Sequence, residues 1–365
     1  MKKLFAVLLF LCIISVKQNV AQTNPTLLTT LPSVLIESSG VEVNGPKDIW
    51  THNDSGDKAC IYNIDTLGNL LRTLHMSFDT AIDCEDITQD QYGNYYIGDF
   101  GNNNNDRTNL MIYKIPNPDS IVGDTVVPQI IYFHYPDQTM FPPDLTLRNF
   151  DCEAMFHYKD SLFLFSKNRG TSTFSRMYRL PDQPGNYTAE LIDSFNTVNW
   201  ITSADISPSG KTMVLFSEMR ILIFTNFTGT HFFNGTVREL TMDYSQKEGI
   251  VFVNDSLVYI TDEKQATTGG NLYKLNLASW INGIGENAGN VTKLILYPNP
   301  VHNILHLQLP EGFHPKEIEV YNINGKLCKR FFSKESINVS GLASGIYMLK
   351  VKDEVKNLRI EFVKE

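Results

Sequence analysis

A repeat constrains this chain more than any other feature. Five segments between residues 39 and 277 share one order: a short run opening on a small or acidic residue, a turn, an apolar run, a polar loop and a second apolar run. The first apolar runs start at Ile49, Tyr95, Leu162, Met213 and Leu257, and the second read Ile-Tyr-Asn-Ile (61–64), Ile-Tyr-Lys-Ile (112–115), Met-Tyr-Arg-Leu (177–180), Ile-Leu-Ile-Phe (221–224) and Leu-Tyr-Lys-Leu (272–275). Aromatic and branched residues of this kind, punctuated by turn chemistry, are strands. The turns carry Asn-Gly, Tyr-Gly-Asn, Lys-Asp, Pro-Ser-Gly and Asn-Asp, which suit tight hairpins. Fourth strands show at 70–76, 129–135, 187–195 and 236–242. The fifth repeat lacks one, and an unassigned strand-like run at 27–35 precedes the first. Four strands per repeat, with the N-terminal run completing the last unit, predict a closed ring without an open edge. The expected class is all-β: a five-bladed β-propeller followed by a small immunoglobulin-like β-sandwich.

The ends set the domain plan: signal peptide 1–21, propeller 22–280, linker 281–291 and a C-terminal domain 292–365. Lys2 and Lys3 precede an apolar run at 4–16 that is too short to span a bilayer, and Ala21 suits the cleavage position. Cys12 lacks the flanks of a lipidated cysteine, and no later segment reads as transmembrane. Cleavage leaves Cys60, Cys84, Cys152 and Cys328, too few for a disulfide framework and too dispersed for zinc. Cys84 and Cys152 each sit in an Asp-Cys-Glu triplet, which makes them the pair to consider for a bridge. Residues 23–292 hold seventeen basic and thirty-two acidic side chains, whereas 293–365 hold eleven and eight. So acidic a cargo argues against nucleic acid and suits cation binding.

Propeller geometry turns the repeat into a site. First strands line the central channel, so equivalent positions face one axis. Those positions hold Ser39, Glu85, Glu153, Ser203 and Glu248. Converging carboxylates repel, which raises their pKa values unless a cation is shared. Calcium suits such a ring, because it takes six to eight oxygens in a flexible shell. Zinc would want His or Cys, which the ring lacks. The loops after the second strands return to the same end. They bring Asp54 and Asp99 as candidate general bases, Lys167 and Arg169 as candidate phosphate holders, and Asn53, Asn102, Glu218, Arg220, Asp262 and Glu263 as rim.

Four ordered motifs mark the C-terminal domain. They are Tyr297, Pro298, Asn299 and Pro300; Val-Tyr-Asn-x-x-Gly-Lys at 320–326; Ser-Gly-Leu-x-x-Gly-Ile-Tyr at 340–347, with Gly341, Gly345 and Tyr347; and Phe-Val-Lys at 362–364. Together they resemble the type A sorting domain of bacterial type IX secretion. That resemblance implies the type IX machinery as partner and passage through the periplasm. It further implies release or attachment at the cell surface, usually with removal of the tag, and a source in the Bacteroidetes group.

The axial order Ser, Glu, Glu, Ser, Glu resembles the soluble calcium-activated nucleotidases, an apyrase family of five-bladed propellers that hold calcium with one residue per blade. Supporting segments are 39–56, Glu153-Ala154 with 159–162, and Lys-Glu-Gly-Ile at 247–250. Other calcium propellers, lactonases and phytases among them, also bring acids to the axis. The first loop reads His52-Asn53-Asp54-Ser55-Gly56 where the family has an acidic pair, so a nucleotide preference does not carry over. Two classes follow: a calcium-dependent hydrolase of phosphoester, phosphoanhydride or lactone substrates, or a non-catalytic binding or adhesion propeller with a structural calcium. The chain has no P-loop, Rossmann fingerprint or Gly-x-Ser-x-Gly.

Overall fold

The structure is a computed structural model that describes residues 24–281, 294–309, 313–322, 326–332, 334, 336–353 and 357–365. The expected signal peptide, and the linker apart from residue 281, lie outside the described residues. Within 24–281 the chain forms five mainly antiparallel sheets. The first holds Ser38–Gly45, Asp48–Asn53, Lys58–Ile64 and Leu70–Thr80, and the second Cys84–Gln89, Tyr95–Asp99, Leu110–Ile115 and Gln129–His134. The third holds Asp151–Tyr158, Ser161–Lys167, Phe174–Pro181 and Glu190–Asn196, and the fourth Ser203–Ile206, Thr212–Ser217, Arg220–Thr225 and Thr236–Thr241. The fifth holds Lys247–Phe252, Leu257–Asp262 and Asn271–Asn276, with Thr26–Thr30 paired antiparallel on its outer edge.

Each first strand packs against the first strands of both neighbouring sheets, and the cycle closes between Ser38–Gly45 and Lys247–Phe252. Apolar cores repeat in the same rhythm. Trp50, Ile61, Ile87 and Tyr95 join the first and second sheets. Tyr96, Ile112, Met155 and Leu164 join the second and third; Phe156, Phe165, Leu215 and Phe224 the third and fourth; Val214, Phe216, Ile250 and Ile260 the fourth and fifth. Leu31, Leu35, Val41, Val251 and Leu272 join the fifth to the first. Alternation along the second strands explains the pattern, because successive side chains feed the cores on opposite faces of their sheet.

Polar bonds stitch first strands across the sheets. Ser39 Oγ donates to the Glu85 carbonyl (2.8 Å). The Asp86 carboxylate accepts from Met155 N (2.8 Å), and Asp205 accepts from Phe252 N (2.6 Å). The last two satisfy backbone donors, and the first a backbone acceptor, at the inner edges of the sheets.

One sequence expectation is corrected. The run 187–195 is not one strand. It breaks at Ala189, and Gly185–Thr188 pairs in parallel with Gln129–His134, extending the second sheet, while Glu190–Asn196 alone serves the third. Thr125–Val126 covers the first sheet in the same way. Both additions cover an outer edge that would otherwise offer unpaired backbone groups. The four cysteines among the described residues are free thiols, three of them buried, so Cys84 and Cys152 are not bridged.

The C-terminal region forms two sheets, Ile295–Tyr297, Ile304–Gln308 and Ser336–Asn338 in one and Glu317–Asn322, Leu327–Phe332, Gly345–Lys352 and Asn357–Lys364 in the other. They enclose a core of Leu296, Val301, Leu305, Val320, Leu349 and Phe362. Tyr347 stacks on Phe362 at 5.6 Å, and Asn299 accepts from Val363 N at 2.7 Å, so with Val320 all four sorting motifs meet at this core. No helix among the described residues is long and apolar enough to cross a membrane.

Candidate functional site

The first strands begin at one end of the channel, and the loops after the second strands return there. Carboxylates gather around that mouth, among them Asp54, Asp83, Glu85, Glu153 and Glu248. One oxygen from each of Asp54, Asp83 and Glu85 lies within 4.8 Å of the others. Calcium–oxygen distances of about 2.4 Å put opposite ligands roughly 4.8 Å apart, so this trio has the spacing of a hard-cation shell. Glu85 is 5% exposed, and no hydrogen-bond donor among the described residues meets its carboxylate. Burial first, then the charges of Glu153, Asp54 and Asp83, push its pKa well above the ordinary carboxylate range. Asp54 is pushed up to about 8 by burial and then by Asp83, Glu153 and Glu263. Glu248 is buried and raised for the same first reason, and it too lacks a hydrogen-bond donor.

Glu153 has a different fate. Burial pulls its pKa up, but Lys167, the bond to Asp151 and Arg169 outweigh that and leave it below the ordinary value. Lys167 Nζ is 2.9 Å from one Glu153 oxygen, and Arg169 reaches the other at 3.1 Å and Asp151 at 2.6 Å. The indole of Trp200 lies against both cations, 4.8 Å from the Arg169 guanidinium carbon and 5.8 Å from Lys167 Nζ.

The predicted ring therefore divides. Glu85, Glu153 and Glu248 share the mouth, with Asp54 beside them. The Ser39 hydroxyl is spent on the Glu85 carbonyl, and Ser203 donates to the Asp86 carboxylate at 3.2 Å. Asp99, expected as a candidate base, is fully buried and accepts from Ile82 N, Asp83 N, Arg107 and the Tyr113 hydroxyl. Those bonds make it a brace for the loop that carries Asp83, with no lone pair facing solvent. Asp262 repeats this in the fifth sheet, holding Asn271 N and the Tyr273 hydroxyl. Asn53 ties the loop to Val34 and Asp57, and Asn102 ties its own to Phe150. Arg220 pairs with Glu239 at 3.0 Å. Glu218 is half-buried, with its carbonyl accepting from Lys247. Glu263 accepts from Gln246, and burial pushes its pKa to about 7.

Two residues escaped the sequence reading. Asp83 was signalled by its triplet, since Asp83-Cys84-Glu85 repeats as Asp151-Cys152-Glu153 and places an acid two residues before two of the three axial glutamates. Trp200 has no counterpart in the other repeats. Gly101 passes so close that a β-carbon there would collide with the Glu85 and Asp83 carboxylates. The opposite end of the channel opens on a cavity of about 670 Å³ lined by Glu42, Gln89, His157 and Asp205. There burial, then Asp205, pushes Glu42 up to about 8, and burial pushes Asp205 to about 7.

Comparison with known proteins identifies one region. Residues 295–365 match the family "Secretion system C-terminal sorting domain", which makes the chain a type IX substrate destined for secretion or the cell surface. No curated protein matches the chain. Among solved structures, the chain is similar to the extracellular domain of a one-component system of B. thetaiotaomicron (8% identity, TM-score 0.36, 94% of this chain). It spans 60% of that protein's length. It also resembles a protein described as a gluconolactonase (8% identity, TM-score 0.37, 63% of this chain and 70% of the other). A third is the WD40 repeats of RRP9 (9%, 0.33, 66% and 67%).

Proposed function

We propose that this exported protein is a calcium-binding five-bladed β-propeller that hydrolyses phosphate esters or anhydrides at the mouth bearing Asp54, Asp83 and Glu85. In this reading each sheet is a blade, Thr26–Thr30 closes the last one, and the C-terminal pair of sheets is an immunoglobulin-like sandwich that serves as the sorting tag. The closed cycle of first-strand contacts and the five alternating cores support it.

One observation carries the metal assignment: a trio of carboxylates at cation spacing, half-buried Asp54 and Asp83 with buried Glu85, in which the Glu85 carboxylate meets no hydrogen-bond donor among the described residues. An isolated buried carboxylate costs several kcal/mol unless it is neutralised. Calcium bound to Asp54, Asp83 and Glu85, with Glu248 and Glu153 nearby, would remove that cost. It would also polarise a phosphoryl oxygen. Lys167 and Arg169 stand beside the trio, and their charge suits substrate oxygens that the acidic mouth would otherwise repel. The side chains present are harder and more acidic than zinc or copper sites require.

The test is metal analysis of the purified chain with a phosphatase, pyrophosphatase and phosphodiesterase screen, with and without chelator. Bound calcium with chelator-sensitive turnover is the expected result. Bound calcium with no turnover on any phosphate substrate would favour the binding or adhesion reading instead.

A further inference from the structure

Trp200 is the exposed tryptophan of the mouth. The chain has three tryptophans; Trp50 is buried, Trp280 is partly buried and Trp200 is 53% exposed. Its presentation is built in. Thr197 and Ile201 are buried on either side, so the segment between them is pinned at both ends. The Thr197 hydroxyl donates to the Asn199 carbonyl (2.8 Å), and Thr197 N and Val198 N both reach the Thr173 carbonyl (3.0 and 3.2 Å). Val198 between them has φ +63°. A β-branched residue in that region is strained, and such strain persists only where surrounding bonds enforce it. The result is an indole held out at the mouth, packed on the guanidinium of Arg169 and beside Lys167. Half of its surface still faces solvent.

Resting on the phosphate reading above, we infer that Trp200 is a specificity-determining platform, which selects phosphate esters whose leaving or carried group is a planar ring. The two cations lie against the indole and next to Glu153, so a phosphoryl group drawn to them sits within a few ångströms of the indole's edge. A ring attached to that phosphoryl group stacks on the open part of the indole, while an aliphatic substituent gains far less. Aromatic stacking of this kind discriminates by about tenfold. Acidic side chains elsewhere around the mouth offer an anionic ester no comparable surface.

The experiment titrates the full chain in calcium with two non-hydrolysable probes, phenylphosphonate and methylphosphonate, by calorimetry and by quenching of tryptophan emission. The wild type should bind phenylphosphonate about tenfold more tightly and show quenching with that probe alone. Trp200→Ala should bring the two affinities together without weakening methylphosphonate, and Trp200→Phe should restore most of the difference. The unaltered methylphosphonate affinity distinguishes a platform from a residue that merely props Arg169. If the wild type binds both probes equally, or if Trp200→Ala keeps the preference, the inference fails and the phosphate reading stands. If neither probe binds, both fail.

Discussion

Closure of the ring makes a quantitative claim on the strand Thr26–Thr30. Thr26–Thr30 pairs with Asn271–Asn276 at Thr26–Lys274, Leu27–Tyr273, Thr29–Leu272 and Thr30–Asn271, and Leu31 N donates to the Gly270 carbonyl at 2.8 Å. Deleting residues 24–30 from the secreted form would remove these bonds and leave the outer edge of Asn271–Asn276 bare. At about 1 kcal/mol net per ladder bond, the four pairs are worth roughly 4 kcal/mol. Leu35, 1% exposed, is the stronger anchor, and Leu35→Ala should cost about 2–5 kcal/mol from burial and the cavity it leaves. In a domain of this size each kcal/mol shifts Tm by roughly 2–4 °C, so either change should lower Tm by about 4–20 °C. Leu27→Ala, at a side chain 55% exposed, should be nearly silent. Differential scanning calorimetry of the three variants reads the effect, and the deletion should also aggregate through its new edge. A deletion variant that melts within about 2 °C of wild type would refute closure by this strand.

Other expectations follow from the same residues. Removing residues 295–365 should leave the cargo in the periplasm, read by fractionation; truncated protein at the surface or in the medium would contradict the role of the sorting domain. Gly101→Ala should drive the Glu85 and Asp83 carboxylates apart and lower calcium affinity at least several-fold with little loss of stability, because flexible side-chain ends give way before backbone does. Asp54 and Glu42 are raised to about 8 and Asp205 and Glu263 to about 7, so the folded protein holds protons that the unfolded chain has lost above pH ~4. Without metal, stability should therefore fall as pH rises from about 4 to about 8. Urea midpoints that rise over that range would contradict the sign. Calcium should flatten the share due to Asp54, and Glu42→Gln the share at the opposite mouth.

Much of the architecture was legible because its determinants are local. Turn residues and apolar alternation mark three strands in every repeat, and the axial Glu85, Glu153 and Glu248 follow from repeat equivalence alone. The strand swap at Gly185–Thr188 was not legible, since pairing across sheets leaves no trace in the alternation of residues 187–195. Site chemistry was legible in part. Asp54 and Glu85 lie close together, and Lys167 and Arg169 reach the mouth, but their commitment to Glu153 depends on distances that spacing cannot supply. Asp99 misled because a loop carboxylate looks the same in sequence whether it faces water or braces backbone amides. Trp200 was invisible for the opposite reason: without a counterpart in the other repeats, only its exposure beside Arg169 sets it apart.

Calcium at the axial mouth is the central claim, and a calcium titration of the metal-stripped chain tests it most directly. Isothermal calorimetry on wild type, the Asp83→Asn/Glu85→Gln double variant and Asp160→Asn at the opposite face should give one site in the wild type and in Asp160→Asn. A hundredfold excess of calcium over Kd should add about 2.7 kcal/mol of stability to both. The double variant should lose the site, yet be no less stable than wild type when both are metal-free, because it has shed two carboxylic acids from a crowded acidic cluster. Wild-type affinity in the double variant, or no binding to the wild type, would contradict the assignment.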